Sequence, residues 1–221
     1  MKVCTDSCLF GAWIADKFES KDLTAKRILD IGCGTGLLSL MVAQKTEAAI
    51  DAVEVEDAAY NEAKENVAAS PWHSQIKVIH DDIKDFGKKK YDLIICNPPF
   101  YEHDLKSPES TINIARHNDE LTLTQLHDVT DRLLSAKGSF FVLLPYSRLQ
   151  YFEEVFCEDL FIKEMLLVRQ TEKHKFFRAI LQLQRTEIAG TLNEMTIKNA
   201  SEYSGAFKNL LKDYYLQLET S

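Results

Sequence analysis

The stretch Ile28–Leu40, ILDIGCGTGLLSL, sets the fold. Its first four residues are apolar around one acid, Asp30. Glycines then stand at alternate positions, Gly32, Gly34 and Gly36, and apolar residues resume at helical spacing. That order reads as a buried strand, a tight turn and a helix. Closely set glycines let the backbone approach a ligand where a Cβ would clash. The helix N-terminus beyond them favours polar or negative ligand groups. A dinucleotide fingerprint would need glycine at position 37, where Leu37 stands, and the lysine of a phosphate loop is missing.

The spacing D-x-G-x-G-x-G from Asp30 to Gly36 resembles the S-adenosylmethionine loop of class I methyltransferases. The resemblance implies that Asp30 helps to position the amino-acid end of that cofactor and that Gly32, Gly34 and Gly36 line its path. Taken by itself, a glycine turn of this kind is also a common strand–helix link.

Strands and helices alternate outward from the loop. Thr5 or Asp6 is placed to cap an opening helix. Strands are predicted at AAIDAVEVE, QIKVIHDD, YDLIICN and SFFVLLP. Helices are predicted at AAYNEAKENVAAS, DELTLTQLHDVTDRLLSAKG (ending at Gly138) and residues 147–157. The segments FIKEMLLVRQT and FFRAILQLQR lack a helix-length link, so they should pair antiparallel. SEYSGAFKNLLKDYYLQL reads as a final amphipathic helix. The expected fold is α/β: a doubly wound, mostly parallel seven-stranded sheet, Rossmann-like, with the last strand antiparallel, in one domain over residues 1–221. Ligands of such sheets bind beyond the carboxyl ends of the strands.

The second strand ends on Glu54, where an acid can accept from both ribose hydroxyls; Glu56 competes within the same turn. The third ends on Asp81 and Asp82. Methyltransferases of this class often carry an acid here, followed by an apolar residue, that binds the adenine amine. By that resemblance Asp82, before Ile83, is the better match. Alone, each acid reads as an exposed loop carboxylate or a helix cap.

The fourth strand stops on Asn97-Pro98-Pro99-Phe100. Two prolines give up ladder donors and fix the backbone. An exocyclic amine on a base is a poor nucleophile, because its lone pair is delocalised into the ring. Acceptors that hold its hydrogens, the Asn97 carboxamide oxygen and the Pro98 carbonyl, pull the nitrogen toward a nucleophilic geometry. Phe100 can stack on the base. NPPF resembles the [DNS]-P-P-[FYW] motif of amino-group methyltransferases, which act on adenine, guanine or glutamine amides.

The 221 residues are 45% hydrophobic and carry a formal net charge of −8. That balance argues against a general nucleic-acid binder. Within it, residues 163–185 hold six basic side chains against two acidic ones, a net of +4. On charge alone this is a solvated face. No run has the length of a membrane span. Five cysteines without a CxxC pair suit a reducing, cytoplasmic setting and buried, inert thiols, with no metal site expected.

The opening MKVCTDSCLFGAW, with NVAASPWHSQIKVIHDDI and IARHNDELTL, is similar to the bacterial tRNA adenine methyltransferases that modify the amine next to the anticodon of valine tRNA. The resemblance covers most of the chain. Cys4 and Cys8 stand where the family has glycine and an aliphatic residue, and an N-terminal family segment is expected to be absent here. The resemblance implies S-adenosylmethionine as donor, tRNA as partner and methylation of adenine N6, with no membrane and no stable protein partner. It places Thr5 and Asp6 near the cofactor, Asn97, Pro98, Pro99 and Phe100 at the chemistry, and Arg116, His117, Lys173, Lys175 and Arg178 toward RNA. The alternatives are a methyltransferase for guanine N2 of rRNA or for a protein glutamine amide, and a cofactor-binding RNA module without catalysis.

Overall fold

The computed structural model describes residues 5–87, 89–98, 121–200 and 202–215. Helix α1 spans Thr5–Glu19 and leads into β1 (Arg27–Ile31) and α2 (Leu37–Ala43). Then come β2 (Ala49–Glu54), α3 (Asp57–Ala68), β3 (Ile76–His80) and β4 (Tyr91–Cys96). Beyond position 120 follow α4 (Leu123–Leu133), β5 (Leu134–Pro145) and α5 (Leu149–Phe156). The chain continues as β6 (Phe161–Arg169), β7 (Phe176–Gln184), β8 (Thr191–Thr196), a small ladder of β9 (Lys198–Asn199) with β10 (Glu202–Tyr203), and α6 (Gly205–Leu211).

The sheet runs β3-β2-β1-β4-β5-β7-β6-β8. β7 is antiparallel to both its neighbours, as the short link from β6 requires. The other neighbouring pairs are parallel. The expected seven strands are therefore joined by an eighth, β8, along the outer edge of β6. Its residues TLNEMT are mostly exposed and lack the period-2 apolar pattern, so ladder bonding rather than burial makes them a strand.

Both sheet faces are covered. Cys8 to Ile14 of α1, Leu38 and Met41 of α2, Ala63 and Val67 of α3 and Phe207 of α6 close one face. Leu126, Val129 and Leu133 of α4 with Phe152 and Phe156 of α5 close the other. Helix α1 is buried on all sides because it lies between the sheet and α2 and α6. Gly11 permits that packing, since a Cβ there would meet Met41 Sδ at 2.7 Å.

Three boundaries differ from the sequence expectation. Helix α4 ends at Leu133 rather than Gly138, because Leu134 turns extended and pairs with Tyr91. Gly138 lies inside β5 and makes room for the Leu134 side chain, 2.7 Å from where a Cβ would stand. Thr5 and Asp6 stand within α1 rather than ahead of it. The last helix is cut short at its start, where Ser204 accepts from Phe207 N and caps α6 after β10.

Candidate functional site

The carboxyl ends of β1, β2, β3 and β4 converge on one edge of the sheet. Three glycines take the backbone around the end of β1 in left-handed conformation: Gly32 at φ 64°, Gly34 at φ 56° and Gly36 at φ 80°. Among the described residues, and apart from its chain neighbours, no atom lies within 4 Å of where a Gly32 Cβ would sit.

Asp30 is fully buried beneath the loop. Its Oδ2 accepts from Ser39 Oγ at 2.7 Å, and its Oδ1 has no hydrogen-bond partner among the described residues. Burial pushes its carboxyl up from 3.8 to about 6, against the lowering effect of the Ser39 bonds. An orphaned buried carboxylate oxygen beside a glycine turn suits a cationic group. The ammonium of a bound S-adenosylmethionine fits that description.

Glu54 ties the second strand end to the first. Its Oε2 accepts from Gly34 N at 2.9 Å; its Oε1 accepts from Val55 N and Glu56 N, each at 2.9 Å. Glu54 is buried, whereas Glu56 is exposed at the start of α3. This favours Glu54 over Glu56 as the ribose acid. Replacing Glu54 with alanine frees three backbone donors as well as the acceptor. Cofactor affinity in calorimetry is expected to fall at least tenfold. Unchanged binding would assign the ribose to another residue.

Asp82 is half-buried, while Asp81 is exposed. Asp82 Oδ1 accepts from Lys84 N at 2.9 Å, and Lys84 Nζ lies 3.1 Å from its Oδ2. Arg132 of α4, which the sequence did not single out, holds the loop after it. Nη1 donates to the carbonyls of Phe86 (2.6 Å) and Gly87 (2.7 Å), and Nη2 to those of Ile83 (3.1 Å) and Lys84 (3.0 Å). Four charge-assisted bonds from one planar guanidinium fix the segment that carries Asp82.

At the end of β4, Asn97 Nδ2 donates to Ser7 Oγ of α1 at 3.0 Å. Ser7 N donates to Asp6 Oδ1 at 3.2 Å, and Arg178 Nε of β7 donates to Asp6 Oδ2 at 2.7 Å. The structure thus joins two of the predicted residues, Asp6 and Arg178, to a third, Asn97, through Ser7. Pro99, Phe100, Arg116, His117 and the expected loop over 101–118 lie outside the described residues.

Arg178 pairs in register with Pro145 at the carboxyl end of β5, which places the turn between β6 and β7 on the same edge. That turn carries Lys173 and Lys175, both exposed. Arg169 stacks over Phe176 with its guanidinium 5.3 Å from the ring centre, and Tyr146 lies 5.7 Å from the same ring, centre to centre. No local pattern announces this group, because Tyr146 lies thirty residues before Phe176 in the chain. The Cys33 and Cys96 thiols next to the site are pushed up by burial and by the nearby Asp30 charge, so they stay neutral and inert.

A family profile described as "Methyltransferase small domain" matches residues 11–161. A tRNA1(Val) (adenine(37)-N6)-methyltransferase of Dyadobacter fermentans is 41% identical, over 98% of this chain and 91% of that protein. Proteins of the same name from Photorhabdus laumondii and Bacteroides fragilis are 37% and 35% identical, over 98% and 99% of this chain and 89% and 92% of theirs. The fold is shared with the crystal structure of a predicted O-methyltransferase from Agrobacterium tumefaciens: TM-score 0.70, 15% identity, 93% of this chain and 95% of that one. It is shared too with the glycopeptide N-methyltransferase MtfA complexed with S-adenosylmethionine: TM-score 0.57, 10% identity, 80% of this chain and 94% of that one. The likeness runs over nearly the full length of these proteins, and the chain belongs to the tRNA1(Val) (adenine(37)-N6)-methyltransferase family.

Proposed function

We propose that the protein transfers a methyl group from S-adenosylmethionine to the N6 amine of adenine 37 in valine tRNA. The observation that carries this reading is the Asn97 carboxamide, fixed at the end of β4 beside the glycine turn and its orphaned Asp30 oxygen. The relatives named above supply the base and the tRNA.

Asp30 and the Gly32–Gly36 turn would hold the cofactor's amino-acid end, Glu54 its ribose and Asp82 its adenine. When bound, the cofactor supplies an electrophilic methyl on a sulfonium. The protein's part is orientation. Asn97 Oδ1 and the Pro98 carbonyl accept the two amine hydrogens, direct the nitrogen lone pair out of the ring plane and stabilise the positive charge that develops on nitrogen. Pro98 and Pro99 restrict the backbone, and Phe100 supplies a stacking face. No strong general base is needed, since the proton is acidic once the methyl has moved. Thr5 stands at the first turn of α1, where its side chain bonds that of Tyr215.

Lys173, Lys175 and Arg178, with Arg116 and His117, would meet the tRNA backbone, and a bacterial cytoplasm is the compartment in which tRNA is found. The charge of −8 makes this a local grip. Removing Lys173 and Lys175 together is expected to raise KM for tRNA several-fold and to reduce the slope of log affinity against log salt by roughly 0.7 to 0.9 per lysine. An unchanged slope would move the phosphate contacts elsewhere.

The test of the reaction is incubation with tRNA lacking the modification and methyl-labelled donor, followed by nucleoside mass analysis. The expected product is N6-methyladenosine. Methylguanosine, or label on protein glutamine, would overturn the reading in favour of another amine.

A further inference from the structure

The peptide group between Ile83 and Lys84 is gripped at both ends. Its carbonyl oxygen accepts from Arg132 Nη2 at 3.1 Å, and its N–H, on Lys84, donates to Asp82 Oδ1 at 2.9 Å. In a planar trans peptide the C=O and the N–H point in opposite directions. Holding the oxygen on one side therefore aims the hydrogen to the other, at the carboxylate. Every polarity along this path is fixed by chemistry. A guanidinium and a backbone N–H only donate, and a carbonyl and an ionised carboxylate only accept.

Arg132 stands in the last turn of α4, where a basic side chain can fold back on the final carbonyls of its own helix. Here both terminal nitrogens leave the helix instead. Nη2 also donates to the Lys84 carbonyl, and Nη1 to those of Phe86 and Gly87. Each terminal nitrogen has two hydrogens, so the four bonds use all of them. One planar fork thereby holds the whole turn in one orientation. Asp82 closes the same turn, its backbone carbonyl accepting from Asp85 N at 3.0 Å. The Ile83 side chain is buried in the apolar cluster that includes Val129 and Leu133 of α4.

The Asp82 side chain is 34% exposed, so part of its carboxylate stays open to a ligand. Its other hold, Lys84 Nζ, is an exposed ion pair and a weak one. The backbone N–H is the firmer of the two.

We infer that Arg132 is a positioning residue for recognition of the cofactor's adenine: through the Ile83–Lys84 peptide it fixes the Asp82 carboxylate in the orientation that accepts from the base's amine. The inference rests on the role proposed for Asp82. Arg132 itself touches no ligand, so its loss should be felt as lost discrimination between bases.

The probes are S-adenosylhomocysteine and S-inosylhomocysteine, which carries a carbonyl oxygen in place of the adenine amine. The readout is the ratio of their dissociation constants in calorimetry. Partial unfolding of a variant weakens both ligands by one factor and cancels from that ratio. In Arg132→Lys the charge remains, but its donors spring from one point and cannot span the turn. The preference for the adenosyl ligand is expected to fall about tenfold, the scale of one hydrogen bond to a charged group. Asp82→Ala should abolish the preference, and in that background Arg132→Lys should change the ratio less than twofold. A ratio within twofold of wild type in Arg132→Lys would overturn the inference, whatever the thermal midpoint does. So would an undiminished change in the Asp82→Ala background. Should the lysine variant not fold, Arg132→Met, which keeps a stem of similar length and no charge, is read by the same ratio. An intact preference in Asp82→Ala removes the role of Asp82 itself, whereas a lost preference there beside a normal Arg132→Lys removes only the present inference.

Discussion

Replacing Asn97 with alanine is expected to reduce methyl transfer by ~10²–10³-fold, the range seen when one polar group aimed at developing charge is removed. The loss should fall on turnover. Asn97 makes its bond to Ser7 and none to the glycine turn, so affinity for S-adenosylmethionine in calorimetry should change less than twofold. The Pro98 carbonyl remains, which is why some activity should persist. Single-turnover rates with labelled donor give the measurement. Turnover near that of the native enzyme would remove Asn97 from the chemistry, and with it the reading of the NPPF motif given above.

The second large effect pairs a gain with a loss. Asp30→Asn is expected to weaken cofactor binding by ~100-fold while making the protein without cofactor more stable. A fully buried carboxyl raised from 3.8 to about 6 is ionised at neutral pH at a cost of about 3 kcal/mol relative to the unfolded chain. The sign follows from proton binding. Between those two values the folded state holds more protons than the unfolded one, so stability falls as pH climbs from about 4 to 6 and stays reduced above. Asparagine keeps an acceptor for Ser39 and carries no charge, though its NH2 has no partner at Oδ1's position. A net gain of ~1–2 kcal/mol, or a few degrees in thermal midpoint, is expected. In the native protein, protonation of Asp30 should weaken cofactor binding as pH falls through about 6. An unaltered cofactor affinity in Asp30→Asn, or a lower midpoint, would show that the buried charge is not held for the cofactor.

Much of this could be read from the chain because the relevant signals are local. Asp30 and its three glycines lie within seven residues, and strand-end acids follow from where apolar runs stop. The parallel order and the antiparallel β7 followed from connection lengths. What escaped was assembled across the sequence. Arg132 reaches back more than forty residues to hold the Asp82 loop, and no spacing announces it. Ser7 looks like any small residue on a buried helix until Asn97 is brought against it from ninety residues away. The end of α4 was misplaced for a related reason: a leucine at 134 suits a helix or a strand, and only the pairing with Tyr91 decides. Arg178 read from the sequence as a residue facing RNA, yet its Nε donates to Asp6 and its Nη1 to the Phe177 carbonyl.

The order in which the ribosome delivers these parts matters to when the enzyme becomes competent. Helix α1 emerges well ahead of β7: Arg178 arrives 172 residues after Asp6. The mooring of α2 comes later still: Lys45 pairs with Asp213, and the Tyr214 hydroxyl donates to the Met41 carbonyl, contacts 168 and 173 residues long. Contacts of such separation form only after the entropy of closing a very long loop has been met. A nascent chain can therefore build the β1–β4 half of the sheet and its glycine turn well before Ser7 is locked against Asn97. Cofactor pocket first, catalytic register last, is the expected sequence of maturation, and the last dozen described residues serve as its closing latch.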